Sequence, residues 1–156
     1  MDGDVVIERL KAFADQDKRD IDRLMAMLSG RFADGVVDDS ILEKIIQSPN
    51  HEQLVARLDA RIVGAATVSL VFGAGIGSVG YLQDFVVDSE VRGKGIGDAL
   101  FEEVEAWCLE HGAELEFTSS ASKEAAHAFY RKHGATVRDT TVFHVIPGGG
   151  DSSAVL

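Results

Sequence analysis

Polar and apolar positions along this chain of 156 residues change period repeatedly, and each change predicts a new element. Val5-Val6-Ile7-Glu8-Arg9-Leu10 is rich in β-branched residues and predicts a strand. Asp15 to Asp20 supplies helix-start signals, after which Ile21, Leu24, Met25 and Leu28 share one face of a helix ending at Ser29-Gly30. Arg31 to Val37 reads as a loop into a second helix. Asp38 to Ser40 caps that helix, Ile41, Leu42, Ile45 and Ile46 form its apolar face, and Ser48-Pro49-Asn50 stops it. His51 to Leu58 then alternates as a strand, with Gln53, Val55 and Arg57 set against Leu54, Ala56 and Leu58. A tight turn at Asp59-Ala60 returns the chain as an antiparallel strand from Ile62 to Phe72, where Gly64, Ala65 and Ala66 suit close packing.

The segment from Gly73 to Gly80 holds the letters of a dinucleotide fingerprint, Gly75-x-Gly77-x-x-Gly80. That fingerprint must open a helix. Here a strand follows, so the segment reads as a flexible hairpin loop. The apolar run from Tyr81 to Val87 predicts a buried strand that ends at Asp88. Beyond the polar turn Asp88-Ser89-Glu90 comes Arg92-Gly93-Lys94-Gly95-Ile96-Gly97, then a helix from Gly97 to His111 carrying Leu100, Phe101, Val104 and Trp107 on one face. Leu115 to Thr118 predicts a strand, Lys123 to His133 a helix stopped by Gly134, and Thr136 to Arg138 with Thr141 to Ile146 a terminal antiparallel pair. The order is β-α-α-β-β-β-α-β-α-β-β, an α/β single domain over residues 1–146 with a flexible tail at 147–156.

Composition narrows the possibilities. Apolar residues make up 46% and charged residues 26%, the balance of a globular chain. No apolar run reaches the roughly 20 residues that span a bilayer. The acidic Met-Asp-Gly-Asp start is unlike a signal peptide, so a cytoplasmic protein without a membrane partner is expected. The net charge of −11 argues against nucleic-acid binding, which needs a basic surface, and is compatible with a cationic acceptor. The single Cys108 excludes an internal disulfide, and no His, Cys and carboxylate spacing marks a metal site. Arg92 and Lys94 are a local positive exception.

Their setting gives that exception a use. Glycines at 93, 95 and 97 let the backbone turn several amides toward one point. The first turn of the following helix adds uncapped N–H groups and the positive end of its dipole. A pyrophosphate fits such a point.

At these residues the chain resembles the GNAT superfamily of N-acetyltransferases. The family's loop signature, Arg or Gln, two residues, Gly, one residue, then Gly or Ala, is met by Arg92, Gly95 and Gly97. A second segment, Ala125-Ala-His-Ala-Phe-Tyr-Arg-Lys-His-Gly134-Ala135, resembles the family's Ala-x-x-Phe/Leu-Tyr-x-x-x-Gly-Phe helix, with Ala135 where Phe is usual. The resemblance implies a GNAT-like fold with a mixed central sheet of about seven strands and about four helices, and acetyl-CoA wedged between splayed fourth and fifth strands. It assigns the acyl donor to Phe85, Val86 and Val87 through their backbone and to Arg92, Gly93, Lys94, Gly95, Ile96, Gly97 and Asp98 in the loop. The Val87 amide would polarise the thioester carbonyl. Tyr130 would be the acid that protonates the departing thiolate, with His127 one helical turn before it. Where many members carry a cofactor-binding Asn, seven residues before this tyrosine, the chain has Lys123, which either reaches phosphate instead or is simply solvated.

For the general base, Asp84 and Glu116 are the candidates, and Asp84 comes first because an acid inside an apolar run needs a buried partner or a role. Gln83 stands where some members have Glu. Arg31, Phe32 and Asp34 are candidates for the acceptor pocket. The implied activity is transfer of acetyl from acetyl-CoA to a primary amine of a small molecule, peptide or protein, in a chain that could form a homodimer. A non-catalytic acyl-CoA-binding regulatory module is the alternative. A Rossmann-type nucleotide-binding protein is disfavoured by the spacing of the RGKGIG loop.

Overall fold

Among residues 3–28 and 36–149, which the computed structural model describes, five strands and four α-helices form. In chain order they are β1 (Val5–Arg9), α1 (Asp15–Leu28), α2 (Asp39–Gln47), β2 (His51–Leu58), β3 (Arg61–Gly73), β4 (Gly77–Val87), α3 (Ile96–Glu110), β5 (Glu114–Glu116) and α4 (Glu124–Lys132), with a 3-10 turn at Ser89–Val91. The chain groups into two units, Met1–Phe117 and Thr118–Leu156. The strands and first three helices belong to the first, and α4 belongs to the second. No described helix is long and apolar enough to cross a membrane.

The sheet runs in the order β1-β2-β3-β4-β5. Its first three junctions are antiparallel and the last, between β4 and β5, is parallel, so the expected mixed sheet is present. One core cluster joins Ile21, Leu24 and Met25 of α1 and Leu42 of α2 to Val55, Ile62, Ala65 and Val86 of the sheet. Another joins Ala56, Leu58 and Val63 to Val91 and Ile96. With both clusters drawing on β2 and β3, Leu54, Val55 and Ala56 are each 0% exposed, and the alternation in β2 does not mark a solvent face. Gln53 is buried too, where its amide donates to the Ala66 carbonyl at 3.1 Å and its carbonyl accepts from Thr67 Oγ1 at 3.0 Å. Those bonds meet the desolvation cost of placing an amide inside.

Helix α1 is tied to the sheet by charge as well as by packing. Asp17, Asp20 and Arg23 recur every third residue, so they form a single stripe along the helix. Arg57 of β2 donates to Asp17 at 2.8 Å, Arg61 of β3 pairs with Asp20, and Arg23 pairs with Asp88 just past β4. Asp20 is 1% exposed and also accepts the Ile62 amide at 3.0 Å and Gln16 Nε2 at 3.1 Å. Burial alone would raise its carboxyl pKa, but Arg61, the Ile62 amide and Gln16 together hold it below the ordinary 3.8.

Two expectations are corrected. The sheet has five strands among the described residues rather than about seven, because the anticipated terminal pair does not form and residues 135–146 carry no helix or strand. Val137, Val142, Phe143 and Val145 there are 75–91% exposed. β-propensity makes a segment fit for a ladder without supplying the partner that forms one. The glycine-rich stretch is likewise not all loop. β3 runs to Gly73 and β4 begins at Gly77, leaving residues 74–76 as the turn. Gly80 lies within the strand, where a Cβ would sit 2.6 Å from Cys108 Sγ and 3.2 Å from the Glu114 carbonyl oxygen. Glycine is there for close approach of α3 and β5, not for flexibility. The predicted helix end at Ser29-Gly30, the acceptor candidates Arg31, Phe32 and Asp34, and tail residues 150–156 lie outside the described residues.

Replacing Gly80 with Ala is expected to destabilise the protein by about 1–3 kcal/mol in urea unfolding, the usual cost of overpacking. Adding Cys108→Ala removes the atom in the way and is expected to restore most of the loss. Additive losses in the double variant would contradict the contact.

Candidate active site

The end of β4 is bonded unequally on its two sides. β3 pairs with it up to Gly64↔Val87, whereas β5 pairs only with Val79, Gly80 and Tyr81. Leu82 to Val87 therefore run beyond the last β4–β5 pair. Within that stretch the register slips by one residue between Thr67↔Gln83 and Ala65↔Val86, so Asp84 and Phe85 together face Ala66 in a β-bulge. Asp84 takes φ 55°, in the left-handed region. Asp tolerates that region better than most residues, but a strand offers no ordinary reason for it.

The register also decides which backbone groups face outward. The Asp88 amide donates to the Val63 carbonyl at 2.8 Å, which makes Val63 and Asp88 a hydrogen-bonded pair. Bonded and non-bonded pairs alternate in an antiparallel ladder. Gly64 and Val87 are thus the non-bonded pair, and the Val87 N–H and C=O point away from β3. The Val87 carbonyl accepts from Arg92 Nε at 3.2 Å on that outer side. By the same alternation Val86, opposite Ala65, turns its amide and carbonyl toward β3. Phe85 is half-buried and meets Phe101 of α3 edge to face at 5.9 Å.

The loop that follows hangs between two buried side chains. Val91 and Ile96 are each 2% exposed, while Arg92, Gly93, Lys94 and Gly95 between them are exposed. Gly93 and Gly95 have φ of 83° and 76°, and a Cβ at either would meet nothing within 4 Å. Glycine is needed there for its backbone conformation, and the space in front is open to a ligand. Gly95 is also the N-cap of α3 and makes no side-chain cap bond. The amides of Ile96 and Gly97 open the helix's first turn, where the positive end of its dipole lies. Arg92, Lys94, the glycine backbone and the N-terminus of α3 thus follow one another along an exposed edge just after the outward Val87 amide, a setting that favours an anion. This arrangement fits a ligand with a phosphate-bearing end and a carbonyl-bearing end.

Asp84 is exposed, yet the surrounding protein desolvates its carboxyl group enough to raise its pKa above 3.8. In the second unit, Tyr130 is half-buried on α4, with Phe129 edge to face at 5.6 Å, and burial raises its phenol above the ordinary 10.0. The phenol is therefore a proton carrier at neutral pH. His127 is half-buried on the same helix. Lys123 is exposed at the N-cap position and makes no side-chain cap bond. The structure thus brings Asp84, Phe85 to Val87 and Arg92 to Asp98 together in the first unit, and places Lys123 and Tyr130 in the second. No three metal-ligating side chains gather among the described residues. Sequence reasoning missed Arg23 and the buried role of Asp88. The polar turn Asp88-Ser89-Glu90 marked a strand end, but nothing local reveals a partner 65 positions away.

A mixed sheet with a parallel last pair, a bulged strand end and a glycine loop opening a helix defines an α/β fold of the acetyltransferase kind. The chain belongs to the acetyltransferase (GNAT) family, whose model matches residues 21–135. An aminoglycoside N(6')-acetyltransferase type 1 from Stenotrophomonas maltophilia is 31% identical over 118 residues, covering 70% of this chain and 77% of that protein. The crystal structure of glucosamine-6-phosphate N-acetyltransferase from Arabidopsis thaliana matches with a TM-score of 0.73 and 22% identity over 91% of this chain and 98% of that one. An aminoglycoside acetyltransferase from an uncultured soil metagenomic sample matches with a TM-score of 0.72 and 24% identity over 91% and 95%.

Asp84→Gly is expected to stabilise the fold by about 1 kcal/mol, because glycine takes φ 55° without strain. Thermal unfolding checks this. A destabilised variant would mean that the carboxylate contributes more to the fold than its backbone costs.

Proposed function

We propose that this protein is an acetyl-CoA-dependent N-acetyltransferase that acetylates a primary amine of a small molecule or peptide by direct attack in a ternary complex. The observation that carries the reading is the outward Val87 amide beside the glycine loop at the N-terminus of α3. Acetyl-CoA supplies the activated acetyl group. The loop backbone of Gly93 to Gly97, with Arg92 and Lys94, holds its phosphates. The backbone of Phe85 and Val87 and the packing around Val86 accept its arm, and Lys123 is a further phosphate contact. The Val87 N–H stabilises the oxyanion that forms on the acetyl carbonyl. Holding amine and thioester together supplies much of the remaining acceleration.

Asp84 removes the proton that the acceptor's ammonium must lose, directly or through water. Burial raises its pKa, which makes it a stronger base than an ordinary carboxylate. Tyr130 gives its phenolic proton to the leaving sulfur. The names of the relatives point to small-molecule acceptors that carry an amino sugar, and an acidic chain of net charge −11 favours a cationic one.

Calorimetric titration with acetyl-CoA, followed by thiol release against a panel of amino sugars and peptides, tests the reading. Micromolar binding is expected in the native protein and not in Gly95→Val, whose β-branched side chain is strained at φ 76°. Tyr130→Phe is expected to lower kcat by about 10²-fold with binding unchanged. The rise of kcat/KM with pH is expected to follow ionisation of Asp84, at a pH above 3.8, and to be lost in Asp84→Asn. Binding without turnover on any amine, indifferent to Tyr130→Phe, would return the regulatory acyl-CoA-binding module. No binding to the native protein would overturn both.

A further inference from the structure

Asp88 is the corner at which β4 becomes the glycine loop, and its backbone and carboxylate are engaged all round. Its amide donates to the Val63 carbonyl at 2.8 Å and its carbonyl accepts the Val91 amide at 3.1 Å. One carboxylate oxygen accepts the Glu90 amide at 2.9 Å, and the other takes the Arg23 guanidinium. The residue is 4% exposed. Arg23 reaches on to the Ile62 carbonyl at 3.4 Å, so one side chain of α1 spans the start of β3 and the end of β4.

Two physical consequences converge on the loop. The turn from Ser89 to Val91 is set before a ligand arrives, and with Val91 and Ile96 buried, only residues 92–95 remain to be ordered. A site held in its bound shape loses less entropy on binding. The second consequence is electrostatic. Asp88 would otherwise present a negative charge beside a site that accepts anions, and would attract Arg92. Burial alone would raise its pKa, but the Glu90 amide, Arg23 and Arg92 keep it ionised, with Arg23 in direct contact. Arg23 neutralises that charge by direct contact and leaves Arg92 to the ligand.

We infer that Arg23 and Asp88 are positioning residues for the anion loop: the pair sets the turn that aims residues 92–97 and cancels a charge that would compete for Arg92. The loop-ordering half stands on the geometry alone, and the assignment of the ligand rests on the acetyl-CoA reading.

The experiment combines hydrogen exchange of the ligand-free protein with steady-state kinetics on Arg23→Gln, Arg23→Lys, Asp88→Asn and, as control, Arg61→Gln. Arg61 forms the neighbouring ion pair on the same stripe of α1 but does not touch the loop. In Arg23→Gln, amides 89–97 are expected to exchange about tenfold faster, and KM for acetyl-CoA to rise about tenfold, with kcat and the acceptor KM within about twofold. Arg23→Lys is expected to restore most of both. Asp88→Asn keeps the acceptor for Glu90 and loses the charge, so it gives an intermediate effect and serves if Arg23→Gln does not fold. Arg61→Gln lowers the melting temperature and leaves both readouts in place. Unchanged exchange at 89–97, or equal shifts in acceptor KM and kcat, or the same shifts in Arg61→Gln, would overturn the inference. A native protein that binds no acetyl-CoA overturns the ligand and the acetyltransferase reading, while the exchange arm still decides whether the pair holds the loop.

Discussion

Everything distinctive about this molecule depends on a strand with unequal neighbours. β4 is bonded by β3 along its length and by β5 over only three residues. A fully paired central strand would direct its amides to partners on both sides and have none to offer a ligand. Here the ladder itself turns Val87 outward, and the bulge at Asp84 and Phe85 re-aims the side chains just before it. The glycine loop begins immediately after, so the outward amide and the loop at the start of α3 come from consecutive stretches of one chain.

The charged stripe of α1 is the complement to that opening. A sheet interrupted at its functional end needs its geometry fixed from elsewhere. Asp17, Asp20 and Arg23 reach β2, β3 and the end of β4 in turn. Such pairs are costly to desolvate and costlier to break. They add more to the definition of one arrangement than to total stability, as apolar contacts alone would tolerate a slide of the helix. The apolar residues of the same helix, Ile21, Leu24 and Met25, supply the adhesion.

How much of this the chain announces follows from the range of each interaction. Local signals are legible: the Asp38 cap, whose side chain accepts the Ser40 amide, the bounds of β2, and the glycine loop after Arg92, which gives way to the helix at Ile96, one residue before the expected Gly97. Long-range decisions are not. The burial of both faces of β2 depends on what covers the sheet, and Gly80, which the sequence places in a flexible hairpin loop, lies in a strand against Cys108. The terminal strands were expected from their composition, but a ladder needs an edge as well as a sequence. Asp84 stood out as an acid among apolar residues, yet its backbone conformation came from a register slip that pairing alone creates. Arg23 and Asp88 are separated by too much chain for any periodicity to connect them.

The buried thiol beside Gly80 has a chemical consequence of its own. Cys108 is the chain's single cysteine, 3% exposed, and burial pushes its pKa up to about 11. A surface thiolate is a standing target for thiol exchange and for any activated acyl group that reaches it. Protonated and shut away between helix and strand, this sulfur is a poor competitor. With its one sulfur nucleophile withdrawn, the folded chain adds little background to any measurement of released thiol.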